Sequence, residues 1–499
     1  MTGTQRRYIA EAAGLILLAL ALRAPLFGNP AMQIDEQFYL LVGDRMHQGA
    51  LPYADFWDRK PAGLFLIYYL IRFLGGDGVI QYQIVATLFA AATAWMIVRI
   101  AEQIAPRRGA IAAGVAYLAG LHLFGGEGGQ APAFYNAIVA GAAWLVLHAI
   151  TRPGRGRTLF DLGGAAMLLL GVAIQVKYSV IGEGLYFGLA LMLATWRRGA
   201  RPLLVIAAGA VWAAIALVPT GIVWAWFAAH GHGAAFVFTN FESVFLRAAP
   251  EGAELIRRIL RIVLRILPLA AAALAGGLMR PAEGARAAQR FLCGWAIAAA
   301  LSVALFGTYH DHYALPLLVP FTIVAAPAFA WLWAVPGGPR ARRIRIAPVA
   351  IAVIGFALVM GAKLVADARV RRGGPEEMRT LIAAIGAPRP DCLFVFSGDP
   401  AIYLLSGACI PTRYNFPTLL SESRDAASLG IDPRMELARV MVQERPGMVV
   451  THDGFPFAEA DPEAWRFMRF VLERDYTLAL RQPLGTSGRH RLLYVRRTP

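Results

Sequence analysis

An α-helical polytopic membrane protein with a small C-terminal α/β soluble domain is the fold class that three features of this 499-residue sequence predict. Hydrophobic residues make up 58% of the chain and charged residues 16%, against roughly 45–50% and 25% in soluble domains, so a water-soluble fold could not hide its apolar surface. The apolar residues gather in runs, such as 12–22, 203–229 and 313–335, several close to the ~20 residues that cross a hydrocarbon core. The net charge of +16 sits in short basic clusters between those runs, the pattern that sets membrane topology. No basic stripe interleaved with aromatic residues is present, which argues against a nucleic-acid partner.

The clusters are Arg6-Arg7, Arg107-Arg108, Arg152/Arg155/Arg157, Arg197-Arg198/Arg201, Arg280/Arg286/Arg290 and Arg340/Arg342/Arg343/Arg345. If all are cytoplasmic, an even number of crossings separates each from the next. About eleven helices satisfy this: 8–28, 79–100, 109–124, 132–150, 160–176, 180–196, 202–228, 259–279, 290–307, 313–335 and 346–365. The first is read as an uncleaved span, because no small-x-small cleavage site closes it. The N-terminus is then inside and the C-terminus outside. Residues 61–74 (PAGLFLIYYLIRFL) are too short to cross, and counting them would put Arg107-Arg108 outside, so they lie in the interface or re-enter. The transmembrane domain is thus 1–366, with a long first outer loop at 29–78.

From about Asp367 the composition turns soluble, and 367–499 is read as an α/β domain outside the membrane. It offers a helix-like stretch at 376–385, strand-like stretches at 392–396 and 448–451, a Ser397-Gly398-Asp399-Pro400 turn, and a last short strand at 491–496. Cys392 and Cys409 lie in this domain, where either a disulfide or two buried thiols would fit.

The first outer loop reads IDEQFYLLVGDRMHQGALPYADFWDRKPAGLF. Asp35-Glu36 alone would pass for solvated loop charge. Their company, with Asp44, Asp55, Asp58, Lys60-Pro61 and an interfacial aromatic segment, suggests chemistry: a transferase at the lipid surface needs a base for an acceptor hydroxyl and a cation for a departing phosphate.

In Asp35-Glu36 and in residues 49–61 (GALPYADFWDRKP), this loop resembles the first periplasmic loop of GT-C glycosyltransferases of the protein O-mannosyltransferase and aminoarabinose-transferase type. Residues 309–320 (YHDHYALPLLVP) are similar to the family's late His/Arg-Tyr-x-x-Pro segment, although the second proline, Pro320, comes later than is usual there. Residues 394–414 are similar to the domain appended in many bacterial members. The resemblance implies a GT-C fold in a bacterial inner membrane. It also implies inverting transfer of a sugar from a polyprenyl-phosphate donor to a glycan, lipid or protein acceptor on the periplasmic face. Under it, Asp35 is the acceptor base, Glu36 orients it or binds sugar hydroxyls, and Lys60 binds the carrier phosphate.

Other residues admit two readings. Glu127, within Gly-Gly-Glu-Gly-Gly, is either part of a flexible turn or a second acid, and with Asp55 and Asp58 it is a candidate for acceptor or sugar binding. Lys177 either pairs with Glu183 or joins His310 and Tyr313 in binding the donor phosphate. Arg258, Arg261 and Arg265 share a helical face and either snorkel to headgroups or admit an anionic carrier. His230, His232, His310 and His312 have no metal-specific spacing, so no metal or other cofactor is expected to be required, although a divalent ion would be compatible.

The rival function is a polytopic transporter or flippase, which would place ionisable residues at mid-membrane and show internal pseudo-symmetry. Here the acids gather at the outer boundary and no repeat is visible. A lipid-linked glycan ligase or acyltransferase would share the geometry without the Asp-Glu motif. Nucleotide-sugar use is disfavoured, because the sequence has neither Asp-x-Asp nor a strand-linked Gly-x-Gly-x-x-Gly.

Overall fold

The computed structural model describes residues 2–152, 156–248, 250–305, 307–335, 344–386, 392–453 and 459–497. Of the topology-setting arginines, Arg155, Arg340, Arg342 and Arg343 lie outside the described residues. The helices in chain order are α1 (Gly3–Arg23), α2 (Ile34–Met46), α3 (Ala62–Arg72), α4 (Val79–Ala101), α5 (Arg107–Gly120) and α6 (Ala131–Thr151). There follow α7 (Gly156–Ile174), α8 (Val180–Arg197), α9 (Pro202–Ala229), α10 (Gly233–Val237), α11 (Gly252–Leu278) and α12 (Arg286–Leu305). The chain continues with α13 (Leu318–Phe329), α14 (Pro348–Arg372), α15 (Pro375–Ile385), α16 (Ala401–Ser406), α17 (Pro433–Arg439) and α18 (Pro462–Asp475).

Nine helices among the described residues are long and apolar enough to cross a membrane, against the eleven expected. The other two of the eleven are α5 and α8. α5 has only 14 residues before a 3-10 turn at Leu121–Phe124, and α8 carries Glu183 in its first turn and Arg197 in its last. α3, at 11 residues, is a short apolar helix. The expected helix 313–335 is present as the span Asp311–Phe329, which opens with a 3-10 segment Asp311–Leu317 and continues as α13; its expected last residues instead form the strand β1 (Trp333–Val335), paired antiparallel with β2 (Ile344–Ile346). Apolarity alone does not separate a helix end from a short hairpin.

Two compact units emerge. The first comprises Met1–Pro25, Ile84–Ile222 and Pro250–Leu364. In it the carboxylate of Glu11 draws together Arg7, Arg99 and Arg107. Arg6-Arg7 and Arg107-Arg108 therefore sit at the same end of the bundle, as the parity argument requires. Arg198 likewise donates to the carbonyls of Ala149 (2.7 Å) and Arg152 (3.1 Å), joining two further basic clusters at one end.

The second unit comprises Leu26–Gln83, Val223–Ala249 and Val365–Pro499, so the first loop and the C-terminal segment fold together. Its sheet contains β3 (Leu393–Val395), β4 (Met448–His452), β5 (Tyr476–Pro483) and β6 (His490–Arg496) in the order β3-β4-β6-β5, with only β3 and β4 parallel. A core of Phe394, Phe396, Val449, Trp465, Met468 and Val471 packs here, and Trp57 of the first loop is part of it. Cys392 and Cys409 form a disulfide, while Cys293 is a free thiol.

Candidate active site

In the second unit the first loop is more ordered than its composition suggests. α2 starts at Ile34, so Asp35 and Glu36 occupy a helical first turn, where the free N–H groups and the helix dipole favour carboxylates. Pro61, in an extended conformation, ends the loop and opens α3. Between them Tyr53 takes a left-handed φ of 69°, uncommon for a bulky residue. It is held by its N–H to the Phe56 carbonyl (2.7 Å), by rings at Phe227 (5.1 Å) and Phe236 (5.6 Å), and by its hydroxyl, which donates to the Lys60 carbonyl at 2.8 Å.

The tyrosine thereby fixes the backbone at Lys60, whose Nζ lies 3.4 Å from Asp58 Oδ1 and 4.0 Å from Asp35 Oδ1. The same ammonium is 5.4 Å from the centre of the Tyr39 ring. Burial, reinforced by the negative charges of Asp35 and Asp58, holds the Tyr39 phenol well above its ordinary range, so it stays a neutral wall of the cluster. Glu36 is fully buried beside Asp35 in sequence. Asp35, Asp58 and Lys60 therefore form one partly exposed cluster holding a proton acceptor and a cation, the two groups that acyl- or glycosyl-type displacement at a phosphate leaving group requires.

Asp55 serves differently. It accepts from the Leu51 N–H at 2.7 Å and lines a cleft of about 590 Å³ with Arg413, Asn415, Glu436 and Arg439.

Lys177, Glu127, Glu183, Arg258, Arg261, Arg265, His310, His312 and Tyr313 lie in the first unit, and His230 and His232 in the second. The Lys177 ammonium is 4.9 Å from the centre of the Tyr313 ring, and His310 and His312 each abut that ring, at 5.5 and 4.8 Å. The three arginines on one face of α11 all reach the 308–311 segment. Arg258 donates to the Thr308 carbonyl at 3.3 Å and pairs with Glu254 at 2.7 Å, while Arg261 and Arg265 meet Asp311 at 3.6 and 2.9 Å. Arg258 is thus buried against protein groups. Glu183 accepts from the Trp295 indole at 2.6 Å. Glu127 is buried beside Gly126, whose carbonyl accepts from Arg23. Among the described residues, no three His, Cys, Asp or Glu side chains group as metal ligands do.

Sequence reasoning passes over four residues that the structure brings forward. Arg23 is buried at the end of an apolar run, where an intramembrane charge is itself a signal. Tyr39 carries no such signal. Gln37 and Arg59 read as ordinary polar loop residues, but the first bonds Asp399 and the second Asp425.

No protein-family profile matches the sequence, nor does any curated protein. Among solved structures, the chain is similar to ArnT from Cupriavidus metallidurans bound to undecaprenyl phosphate, with TM-score 0.66 and 14% identity over 99% of this chain and 98% of that one. It is also similar to the Archaeoglobus fulgidus oligosaccharyltransferase in its apo form, with TM-score 0.54 and 12% identity over 89% and 69% of the two chains. A third match is the mycobacterial arabinofuranosyltransferase AftD, with TM-score 0.52 and 16% identity over 99% of this chain and 42% of that longer one. The fold of this chain is that of the GT-C membrane glycosyltransferases.

Proposed function

We propose that this chain is an inverting glycosyltransferase that moves a sugar from a polyprenyl-phosphate carrier to an acceptor hydroxyl on the periplasmic face of a bacterial inner membrane. The observation that carries the reading is the Asp35–Asp58–Lys60 cluster, placed at the start of α2 and just before α3 in a polytopic fold. ArnT was captured with undecaprenyl phosphate, and that ligand supports a lipid-phosphate donor for a chain matching it from end to end. The Cys392–Cys409 disulfide supports an oxidising compartment for the second unit, since the cytoplasm keeps thiols reduced.

In the proposed reaction Asp35 takes the proton of the acceptor hydroxyl as its oxygen attacks the anomeric carbon. The sugar–phosphate C–O bond breaks, and polyprenyl phosphate leaves with the electron pair. Lys60 meets the growing negative charge of the phosphate. Glu36 orients Asp35, while Asp55 and Asp58 are assigned to acceptor or sugar hydroxyls. No metal or other cofactor is required in this scheme.

The test is donor choice by the purified full chain in lipid nanodiscs, supplied with membrane extract as acceptor. Discharge of a labelled polyprenyl-phosphate sugar with no turnover of nucleotide sugars is expected. Use of nucleotide sugars, or movement of the lipid-linked sugar across a bilayer without transfer, would overturn the reading, the latter in favour of a flippase.

A further inference from the structure

Lys60 stands in a strap, residues 57–60, in which Trp57 and Arg59 are fixed from the C-terminal segment of the same unit. Trp57 is buried in the core of that segment, and its N–H donates to the Arg413 carbonyl at 2.9 Å. Arg59 Nη2 lies 2.8 Å from Asp425 Oδ1, and its Nη1 donates to Ser428 Oγ at 2.8 Å. Ser428 in turn donates to the Asp425 carbonyl at 2.7 Å. Asp425 also takes Arg247 at 3.0 Å and is only 3% exposed, so two guanidinium groups converge on one buried carboxylate. Burial alone would raise the Asp425 carboxyl, but Arg59 and Arg247 outweigh it and hold the group below its ordinary value.

Arg59 is flanked by Asp58 and Lys60, the two residues that enter the cluster with Asp35. A strap pinned at Trp57 and Arg59 has little freedom left at Lys60, and the Tyr53 hydroxyl removes more. The other member of the pair is held from the same segment. Gln37, two residues after Asp35, donates to Asp399 Oδ1 at 3.2 Å and accepts from the Ala401 N–H at 3.2 Å, while Arg491 closes on Asp399 from the last strand.

We infer that the C-terminal segment positions the lysine that meets the donor phosphate, with Asp425 and Arg59 acting as positioning residues for Lys60. The inference rests on the phosphate role proposed above. Neither residue touches the reacting atoms. The lost freedom matters because a point charge displaced by an ångström no longer stabilises the charge it was built to meet.

The experiment is a double-mutant cycle on the full-length protein in nanodiscs, read as the Kd for undecaprenyl phosphate. Arg59→Gln is the working variant, because it leaves the Arg247–Asp425 pair in place and spares the fold. Alone it is expected to raise Kd about tenfold, and in a Lys60→Ala background to add nothing further, since Arg59 acts only through Lys60. Additive effects of the two changes would make Arg59 a general structural residue and overturn the inference, as would an unchanged Kd in Arg59→Gln. An unchanged Kd in Lys60→Ala alone is a separate result. It removes the phosphate role itself and, with it, the positioning built on that role.

Discussion

Glu422 illustrates how a single buried carboxylate couples the second unit to pH. Its side chain is 5% exposed, with the nearest guanidinium, Arg424, at 3.7 Å, too far for a good hydrogen bond. Burial raises its carboxyl to about 7 despite that arginine. A raised acid keeps its proton in the folded state while the unfolded chain has lost it. Its contribution to stability is therefore whole below the ordinary carboxylate range and disappears as pH rises through about 7. Glu422→Gln should be nearly neutral at pH 5 and stabilising at pH 8, by roughly 1–3 kcal/mol. Thermal unfolding of the two proteins at both pH values checks this, and an equal effect at both would contradict it. Asp425 behaves in the opposite sense: its depressed carboxyl contributes stability that persists at neutral pH and is lost only in strong acid.

Helix packing in the first unit depends on backbone approach rather than on apolar surface, because lipid is as apolar as the side chains. α13 shows this from two sides. A Cβ at Gly109 of α5 would strike the Ala326 carbonyl oxygen, and one at Gly276 of α11 would strike the Val324 carbonyl oxygen. Gly276→Leu should accordingly destabilise the protein by about 1–3 kcal/mol, whereas Gly221→Ala in α9, where nothing lies within 4 Å, should be neutral or mildly stabilising. Apparent melting temperatures in detergent test the pair, and equal melting would contradict the close-packing account.

The long spans were legible in the sequence because twenty apolar residues between arginines have one main physical use, and Val79–Ala101, Ala131–Thr151 and Pro202–Ala229 lie within two residues of expectation. α2 was not legible. Residues 36 to 43 are buried without interruption, so this stretch presents no solvent-exposed face and its pattern shows no helical period. α18 was legible and yet absent from the expected set: Asp461 caps the N–H groups of Glu463 and Ala464, with Pro462 at the first turn.

At the scale of the whole molecule, composition separates lipid-facing from soluble stretches but cannot show which distant stretches fold together. The boundary near residue 367 is a change of composition in the sequence. The second unit, by contrast, gathers Leu26–Gln83 and Val223–Ala249 with Val365–Pro499. That union gathers scattered residues of the loop into the candidate site. Asp35, Asp58 and Lys60 could be nominated from the motif, but Arg59 and Gln37 gain meaning only through Asp425 and Asp399, more than 360 residues away.

The most direct test of the central claim is Asp35→Asn in the purified full chain, assayed for both undecaprenyl-phosphate binding and transfer from a defined polyprenyl-phosphate sugar. An amide is close in shape to the carboxylate but cannot accept the hydroxyl proton. Carrier binding should therefore stay within about twofold, while turnover falls at least about a hundredfold. A folded Asp35→Asn protein that still transfers sugar at near the native rate would contradict the account.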